Sequence, residues 1–326
     1  MSLTSSQRDR AAGVLLATAA GDALGAPFEF GPPLGPEVEV AMTGGGSFGW
    51  APGEWTDDTS MTIAIAELTA AGRDLRDPAT QDALITRWSG WARTAKDVGN
   101  QTRTVLGVPS PSAATVGTAA RELHERTGHT GGNGSLMRTA PVALAYLHDA
   151  ATLAEVAHAI STLTHYDPEA GEACVLWCLA IRHAVLTGEL DVRVGLSTLP
   201  ADRAEVWRTR IEVAEHSAPA DFTRNGWVVE AFQAAWSAIA GTSSSSGALS
   251  AGDPDHLQRG LDAAVRGGRD TDTVAAIAGG LLGAAHGASA VPAQWRRVLH
   301  GWPGLRANDL EHLTNRTVDV TGADPS

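Results

Sequence analysis

Cysteine is scarce in this sequence, which has only Cys174 and Cys178 among 326 residues. The two lie four positions apart in an apolar stretch with helical periodicity, and no further soft ligand stands nearby. They are therefore expected to be buried free thiols rather than a metal site. A chain without a disulfide framework fits a reducing compartment, so we expect a cytoplasmic protein.

Basic residues are also few: 24 Lys and Arg stand against 37 Asp and Glu, and Lys96 is the one lysine. The formal net charge of −13 argues against nonspecific binding to nucleic acid or to an anionic membrane, because both need a basic face. It does not exclude a polyanionic ligand, since a bound metal ion can supply positive charge locally.

The sequence has no convincing membrane segment. Ala11–Gly21 follows two arginines, as in a signal peptide, but it is rich in Ala and Gly rather than Leu. Val274–Ala293 is long enough to span a bilayer, yet it contains several glycines and His286. Each run is predicted to be a tightly packed buried helix, and no membrane partner is expected.

Strand-like alternation is nearly missing too, because only Val38–Met42 shows it. Elsewhere apolar residues recur at three and four positions, which predicts an all-α bundle. No linker separates two independent cores, so we expect one compact domain over residues 1–313. The predicted helices are Gln7–Ala20, Thr59–Ala71, Pro78–Ala95, Ala113–Arg126, Leu136–Leu147, Leu153–Leu163, Glu169–Leu186, Ala201–His216, Gly226–Ala240, His256–Val265, Thr273–Gly287 and Pro292–Leu299.

Three segments are predicted to lie outside the helices. Gly31–Gly53 is long and rich in Gly and Pro, which is typical of a functional loop or lid. Gly241–Pro254 contains four consecutive serines and is expected to be a solvated flexible loop. Residues 314–326 are polar and are expected to form a flexible C-terminal tail.

Two acidic clusters, residues 55–59 and 269–273, each begin a helix whose continuation is apolar. Hard divalent cations prefer carboxylate and hydroxyl oxygens, which Asp and Thr supply. Facing one another, the clusters could hold two ions about 3.5–4 Å apart. The alternative is that Asp and Thr only cap the helices, but a cap needs one side-chain oxygen and each cluster has three or more.

Three further segments are unusual. Gly21–Phe30 follows a helix of small residues, and Gly132–Arg138 is a Gly-rich turn whose backbone N–H groups could bind a phosphate. Thr164–Pro168 joins two helices and contains His165. Taken singly, each of the first two is better explained as a tight turn, and His165 as a capping or packing histidine.

All five segments, in this order, resemble the ADP-ribosylglycohydrolase family. The resemblance runs from about residue 13 to 287 and implies a compact, orthogonal all-α helical bundle. It also implies hydrolysis of the glycosidic bond between ADP-ribose and an acceptor, with two Mg²⁺ ions as cofactor and Mn²⁺ as a possible substitute. The substrate would be an ADP-ribosylated protein or small molecule, and we expect a monomer.

On the matching positions, the resemblance implies roles for individual residues. The metal ligands would be Thr56, Asp57, Asp58, Asp270, Asp272 and Thr273. Glu29, Asp97 and Asp270 would be catalytic, with Glu29 on a mobile loop and Asp97 near the scissile bond. Gly132, Asn133, Gly134, Ser135 and His165 would bind the substrate.

One position departs from the family pattern. Two glycines commonly precede the second acidic cluster, whereas here Arg269 separates Gly268 from Asp270. Its side chain would point to solvent, reach a substrate phosphate or disturb the metal ligands. Trp50 and Trp55 are candidates for stacking on the adenine, although core packing is the favoured interpretation for Trp50.

Two other functions stay open at this level. One is an ADP-ribose-binding protein on the same fold without turnover, which a complete set of metal ligands disfavours. The other is a metal-dependent phosphohydrolase, which usually adds histidines near its carboxylates, and neither cluster has one. The acceptor is also open among arginine, serine, an acetyl ester, a nucleic-acid end and a small guanidine.

Overall fold

The computed structural model describes residues 3–243, 253 and 255–322, and it confirms the all-α prediction. Five short 3₁₀ helices and one two-stranded hairpin accompany the α-helices in the described residues. The α-helices are α1 Ser5–Gly25, α2 Asp57–Ala70, α3 Pro78–Ala92, α4 Asn100–Leu106, α5 Ala113–Thr127, α6 Ala140–Ala145, α7 Ala150–Thr162, α8 Pro168–Thr187, α9 Ala201–Glu215, α10 Val228–Gly241, α11 His256–Arg266, α12 Thr271–His286, α13 Ala293–Val298 and α14 Ala307–Gly322. The 3₁₀ helices are Ala26–Phe28, Asn133–Arg138, Val192–Thr198, Pro219–Asp221 and Ala288–Ala290, and β1 His300–Gly301 pairs antiparallel with β2 Leu305–Arg306.

The centre of the fold is the packing of α1 against α12, the most extensive contact between elements in the described part of the chain. Glycines let the two backbones touch. A Cβ added at Gly279 would lie 2.1 Å from the Ala17 carbonyl oxygen, and one at Gly21 would lie 2.1 Å from that of Ala275. Such distances exclude any side chain, which explains why both runs are built from Gly and Ala. This close packing brings the end of α1 beside the start of α12.

The two apolar runs that resembled membrane segments fall in the buried helices α1 and α12, although the second run extends past the end of α12. Among the described residues, two helical segments are long and apolar enough to cross a bilayer, Ser5–Phe28 and Pro168–Thr187, and their apolar windows are 89% and 78% buried within the protein. The run from Val274 is not one helix, because α12 ends at His286. Burial of this extent is typical of the interior of a helical bundle.

Val38–Met42, the segment with strand-like alternation, forms no strand. Arg266 instead donates hydrogen bonds to the Gly35 and Val38 carbonyls at 2.8 and 2.9 Å. The expected tail from residue 314 is helical as far as Gly322. Its polar residues are partly buried, and the Thr317 hydroxyl lies 3.2 Å from that of Thr69 on α2.

Two other expectations concern segments that the structure describes only in part. Most of the serine-rich segment 241–254 lies outside the described residues, as do residues 323–326.

The periodicity also missed α4, because a helix of seven residues is too short to show an amphipathic repeat. This helix matters because it lines the cleft described below.

Candidate active site

Asp22, near the end of α1, holds the start of α2 in place. One carboxylate oxygen accepts a hydrogen bond from the Thr56 N–H at 2.9 Å. The other accepts from the Thr59 N–H at 3.0 Å and from the Thr59 hydroxyl at 2.6 Å. Thr56 precedes the helix and makes no capping bond with its own side chain, so Asp22 caps α2 from a neighbouring helix. This role was not predicted, although an Asp among small apolar residues was its signal.

The two acidic clusters meet in space, as the sequence predicted. The Thr56 hydroxyl lies 3.1 Å from an oxygen of Asp58 and 3.4 Å from one of Asp272. The Thr273 hydroxyl lies 3.4 Å from the same Asp58 oxygen. Carboxylate oxygens form two groups, each within 4.8 Å: Asp22 with Asp58 and Asp272, and Glu29 with Asp270 and Asp272. Because Asp272 belongs to both groups, these carboxylates form one continuous acidic cluster.

Burial makes this cluster electrostatically unfavourable without a cation. It raises the pKa of Asp22 to about 6, and burial together with the charge of Asp270 raises the pKa of Glu29 to about 9. The pKa values of Asp57, Asp58 and Asp272 lie well above their usual range, first through burial and then through neighbouring carboxylates. These shifts show how strongly the site disfavours unbalanced negative charge.

One oxygen of the cluster lacks a partner. Oδ1 of Asp58 is buried and accepts no hydrogen bond from the described residues. A buried carboxylate oxygen in this state is costly unless a cation compensates it. The oxygen-only donor set and this unpaired atom fit a hard divalent cation.

Asp270 is positioned by two asparagines. The Asn133 amide donates to an Asp270 oxygen at 2.8 Å and to the Asn225 carbonyl at 2.9 Å. The Asn225 side-chain oxygen in turn accepts from the Asp270 N–H at 3.2 Å. Asn133 was predicted to bind substrate, but its amide group is engaged with a carboxylate of the acidic cluster. No pattern in the sequence indicates Asn225, an isolated residue between Arg224 and Gly226.

A cleft of about 560 Å³ opens above the acidic cluster. Its volume lies in the usual range for small-molecule sites. Residues of α4 also line it, and these were not predicted: Gln101, Thr102 and Arg103. The predicted residues that line the cleft are Glu29, Asp57, Asp97, Gly132, Asn133, Gly134, His165, Asp270, Asp272 and Thr273.

Three predicted site residues do not line the cleft. Thr56 and Asp58 are buried within the acidic cluster. Ser135 is fully buried, and its hydroxyl accepts a hydrogen bond from Ser161 at 2.8 Å, so it points into the core. In the turn that was expected to bind a phosphate, the Asn133 N–H already donates to the Gly226 carbonyl at 3.1 Å.

His165 presents one defined tautomer to the cleft. Arg138, a guanidinium that can only donate, gives a hydrogen bond to the Thr164 hydroxyl at 2.5 Å. The hydroxyl's own proton is then available to His165 Nδ1, 2.8 Å away. Burial holds the pKa of His165 well below its usual range, and this contact favours a neutral ring with its proton on Nε2. A Cβ added at Gly134 would lie 3.1 Å from that nitrogen.

Arg269 does not enter the acidic cluster. Its side chain is directed to the carbonyls of Ala220 and Gly267, at 3.4 and 3.3 Å. The side chain therefore does not disturb the carboxylates of the site. The backbone of Arg269 pairs with Gly31, two residues after Glu29.

Comparison with known proteins identifies the lineage of this site. The profile of the ADP-ribosylglycohydrolase family matches residues 3–325. The chain belongs to this family. It is 32% identical over 295 residues to the ADP-ribosylarginine hydrolase Tri1 of Pseudomonas putida (strain GB-1), covering 88% of this chain and 73% of that protein. It is 29% identical over 308 residues to the ADP-ribosyl-[dinitrogen reductase] glycohydrolase of Rhodospirillum rubrum, covering 89% and 90%.

A solved structure supports the same conclusion. The structure titled "ADP-ribosylglycohydrolase-related protein complex" aligns with 98% of this chain and 100% of its own, with a TM-score of 0.70 and 29% sequence identity. The chain therefore has the ADP-ribosylglycohydrolase fold, as the five sequence segments implied.

Trp50 and Trp55, candidates for adenine stacking, do not line the cleft of this ADP-ribosylglycohydrolase. Trp55 is 1% exposed, and its indole N–H donates to the Trp302 carbonyl at 3.2 Å. Trp50 is 7% exposed. Both line a second, smaller cavity that shares Asp57 and Asp97 with the cleft.

Proposed function

We propose that this chain hydrolyses the glycosidic bond between ADP-ribose and the guanidino group of an arginine, releasing ADP-ribose. The observation that carries the proposal is the convergence of Asp58 and Asp272, from helices distant in sequence, under a cleft of about 560 Å³. The choice of arginine is supported by relatives named ADP-ribosylarginine hydrolase.

The proposed cofactor is a pair of Mg²⁺ ions, with Mn²⁺ as a substitute. When bound, the cations would supply positive charge that orients the ribose hydroxyls and lowers the pKa of a water. The chain itself would contribute the ligand oxygens. Asp22 holds Thr56 in place through its N–H, and Asn133 holds Asp270 through its carboxylate. The ligands would be Thr56, Asp57, Asp58, Asp270, Asp272 and Thr273.

Glu29 and Asp97 are the proposed acid–base pair. Cleavage at the anomeric carbon develops positive charge on the sugar. Bound cations would lower the pKa of Glu29 from its value in the metal-free cluster, so that its carboxylate favours this charge and accepts a proton from the attacking water. Asp97, whose pKa is raised by burial, supplies a proton to the departing guanidine. His165 donates its Nε2–H to an oxygen of the bound ADP-ribose. Both carboxyl groups line the same cleft.

The direct test is release of ADP-ribose from ADP-ribosylarginine by the purified protein with Mg²⁺, compared with excess EDTA and with Asp272→Asn. We expect release only with intact Asp272 and Mg²⁺, with a loss of at least about 10³-fold in the variant. A protein that binds ADP-ribose and releases none from the substrate would be a binding protein. Release of AMP with ribose phosphate would indicate a phosphohydrolase. Either result contradicts the proposal.

The proposal includes a monomeric protein in the cytoplasm. Two observations support this setting: Cys174 and Cys178 are free and buried, and the negative charge disfavours anionic surfaces. Light scattering of the purified chain and fractionation of its source cells test these two points.

A further inference from the structure

One part of the cleft wall is formed by polar side chains around two glycines. The residues are Gln101 and Thr102 on α4, Gly132 and Gly134 in the glycine-rich turn, and His165 after α7, and all of them line the cleft. We name them the polar notch. A Cβ placed on Gly132 would lie 3.5 Å from His165 Nε2 and 3.6 Å from Gln101 Oε1. The two polar atoms therefore face one small space, which is open because residue 132 has no side chain.

The Gln101 amide has one chemically reasonable orientation. Its nitrogen lies 3.1 Å from the Thr130 carbonyl oxygen and 2.9 Å from that of Thr164. Because carbonyls only accept, the atom that faces both must be the NH₂ group, and a reversed amide would place three oxygens together. The side-chain oxygen accepts no hydrogen bond from the described residues. Gln101 thus presents an unused acceptor beside Gly132.

A donor lies next to this acceptor. The contact of His165 Nδ1 with the Thr164 hydroxyl favours a ring whose proton is on Nε2, and Nε2 has no partner in the described part of the chain. The Thr102 hydroxyl, 3.8 Å from a Cβ placed on Gly134, can donate or accept. Since His165 is only 2% exposed, the donor is deep in the wall of the cleft. The polar notch therefore offers a donor and an acceptor side by side.

This pair disfavours an ion of either sign. A diphosphate oxygen at neutral pH has no proton to give, so its lone pairs would face the Gln101 oxygen. A cation would face the N–H of His165. A hydroxyl group suits both atoms, because it accepts a hydrogen bond with a lone pair and donates its own proton. The chemistry of the polar notch therefore favours a hydroxyl.

The position of the polar notch indicates which hydroxyls can reach it. Asn133 lies between the two glycines, and its amide donates to Asp270 at 2.8 Å. The polar notch is therefore next to the acidic cluster, at the end of the cleft where the proposed reaction takes place. A ribose of ADP-ribose carries hydroxyls of the required kind.

We infer that the polar notch binds a ribose hydroxyl of the ligand, and that Gln101 is a specificity-determining residue that accepts the hydrogen bond from it. His165 donates to the same ribose. This inference rests on the proposed function for the identity of the ligand, ADP-ribose, but it does not depend on turnover. A site built to bind a hydroxyl rejects an analogue that lacks it, so the inference is testable by binding alone.

The first experiment compares Gln101→Met with Gln81→Met, a matched control. Both glutamines are half-buried on helices, but Gln81 is on α3 and donates to the Leu75 carbonyl at 2.9 Å. In calorimetry with ADP-ribose and Mg²⁺, Gln101→Met should bind about tenfold more weakly, and the control should change less than about twofold. Unchanged binding in Gln101→Met would overturn the inference. Tighter binding would overturn it too, since it would indicate a phosphate against the amide oxygen.

A panel of ADP-ribose analogues, each lacking one ribose hydroxyl, separates recognition from a structural effect. One analogue should bind the parent protein about tenfold more weakly, and with that analogue Gln101→Met should lose less than about twofold further. The missing hydroxyl identifies which ribose occupies the polar notch. An equal loss in Gln101→Met with every analogue would contradict the inference. So would a loss that vanishes only with inosine diphosphate ribose, whose base edge reverses donor and acceptor, because the base would then be the group bound.

Gly132→Ala tests the polar notch while the hydrogen bonds of Gln101 stay intact. Its φ and ψ of −63° and 156° suit alanine, and the added Cβ would meet nothing closer than 3.5 Å. The methyl group would cover both polar atoms, so ADP-ribose affinity should fall at least about tenfold while Tm changes by less than about 2 °C. Gly117→Ala on α5, where a Cβ meets nothing within 4 Å, should leave the affinity unchanged. Full affinity in Gly132→Ala would refute the subsite.

The outcomes for this inference and for the proposed function are distinguishable. A protein that binds ADP-ribose with the expected coupling between Gln101 and one hydroxyl, yet hydrolyses nothing, supports the subsite and contradicts the proposed function. Hydrolysis of ADP-ribosylarginine by a protein in which Gln101→Met and Gly132→Ala keep full affinity leaves the proposed function standing and refutes the subsite.

Discussion

Phe30 and Arg269 are joined through their backbones, and both have left-handed conformations. The Phe30 N–H donates to the Arg269 carbonyl at 2.6 Å, and the Arg269 N–H donates to the Gly31 carbonyl at 2.7 Å. Their φ angles are +65° and +66°, a region that costs a non-glycine residue about 1–2 kcal/mol. Such strain persists where the surroundings fix it, and here it ties the residue after Glu29 to the residue before Asp270.

Because Phe30 is 65% exposed, its backbone can be tested with little effect on the core. Phe30→Val adds a β-branched side chain that disfavours positive φ, and it should lower kcat/KM about fivefold with little change in Tm. Asparagine suits the left-handed region, so the fall in kcat/KM in Phe30→Asn should be less than about half of that in Phe30→Val. Steady-state kinetics at saturating Mg²⁺ measures both. An equal loss in the two variants would mean that the aromatic ring matters rather than the backbone.

The sequence alone predicted the acidic cluster better than the groups that orient it. Asp58 and Asp272 were found because clustered oxygens at helix starts have a recognisable chemistry. Asp22 and Asn225 act through hydrogen bonds to residues distant in sequence, which no local pattern records. The inward orientation of Ser135 likewise depends on its contact with Ser161 on α7, which only the packing of the helices reveals.

The pH dependence of stability should reverse on adding metal. Groups with raised pKa in the folded state, such as Asp22 at about 6 and Glu29 at about 9, bind more protons folded than unfolded. Their contribution to stability is complete below about pH 4 and is lost as pH rises through those values. In EDTA, Tm should therefore fall between pH 5 and pH 9. Mg²⁺ should raise Tm more at pH 8 than at pH 6, because fewer protons then compete for the carboxylates.

Asp58→Asn provides the control for this pH effect. It removes one buried charge without changing the shape of the side chain, so the metal-free protein should lose less stability on going to high pH. The increase in Tm caused by Mg²⁺ should shrink as well. Scanning calorimetry of both proteins across this pH range measures the two effects. The same dependence of Tm on pH in the variant and the parent would refute the electrostatic account.

Thr164 should control how His165 meets the substrate. Thr164→Val removes the hydroxyl that accepts from Arg138 and donates to Nδ1, so the ring no longer has a fixed tautomer. We expect the affinity for ADP-ribose to fall about tenfold, while Thr164→Ser retains it within about threefold. Nitrogen chemical shifts of the ring report the tautomer directly. Unchanged affinity together with an Nδ1–H ring in Thr164→Val would contradict a donor role for Nε2.

The contact between α1 and α12 makes a strong prediction about folding stability. Gly279→Ala would place a Cβ 2.1 Å from the Ala17 carbonyl, so the helices must separate and the Asp22 and Asp272 groups with them. A loss of about 3 kcal/mol or more is expected. Gly117→Ala is the matched control, since it lies within α5 and a Cβ there meets nothing within 4 Å. It should stabilise the protein by about 0.5–1 kcal/mol through the higher helix propensity of alanine. Urea unfolding of both variants gives the two free energies of unfolding. A small loss in Gly279→Ala would show that the contact between α1 and α12 can accommodate an added methyl group.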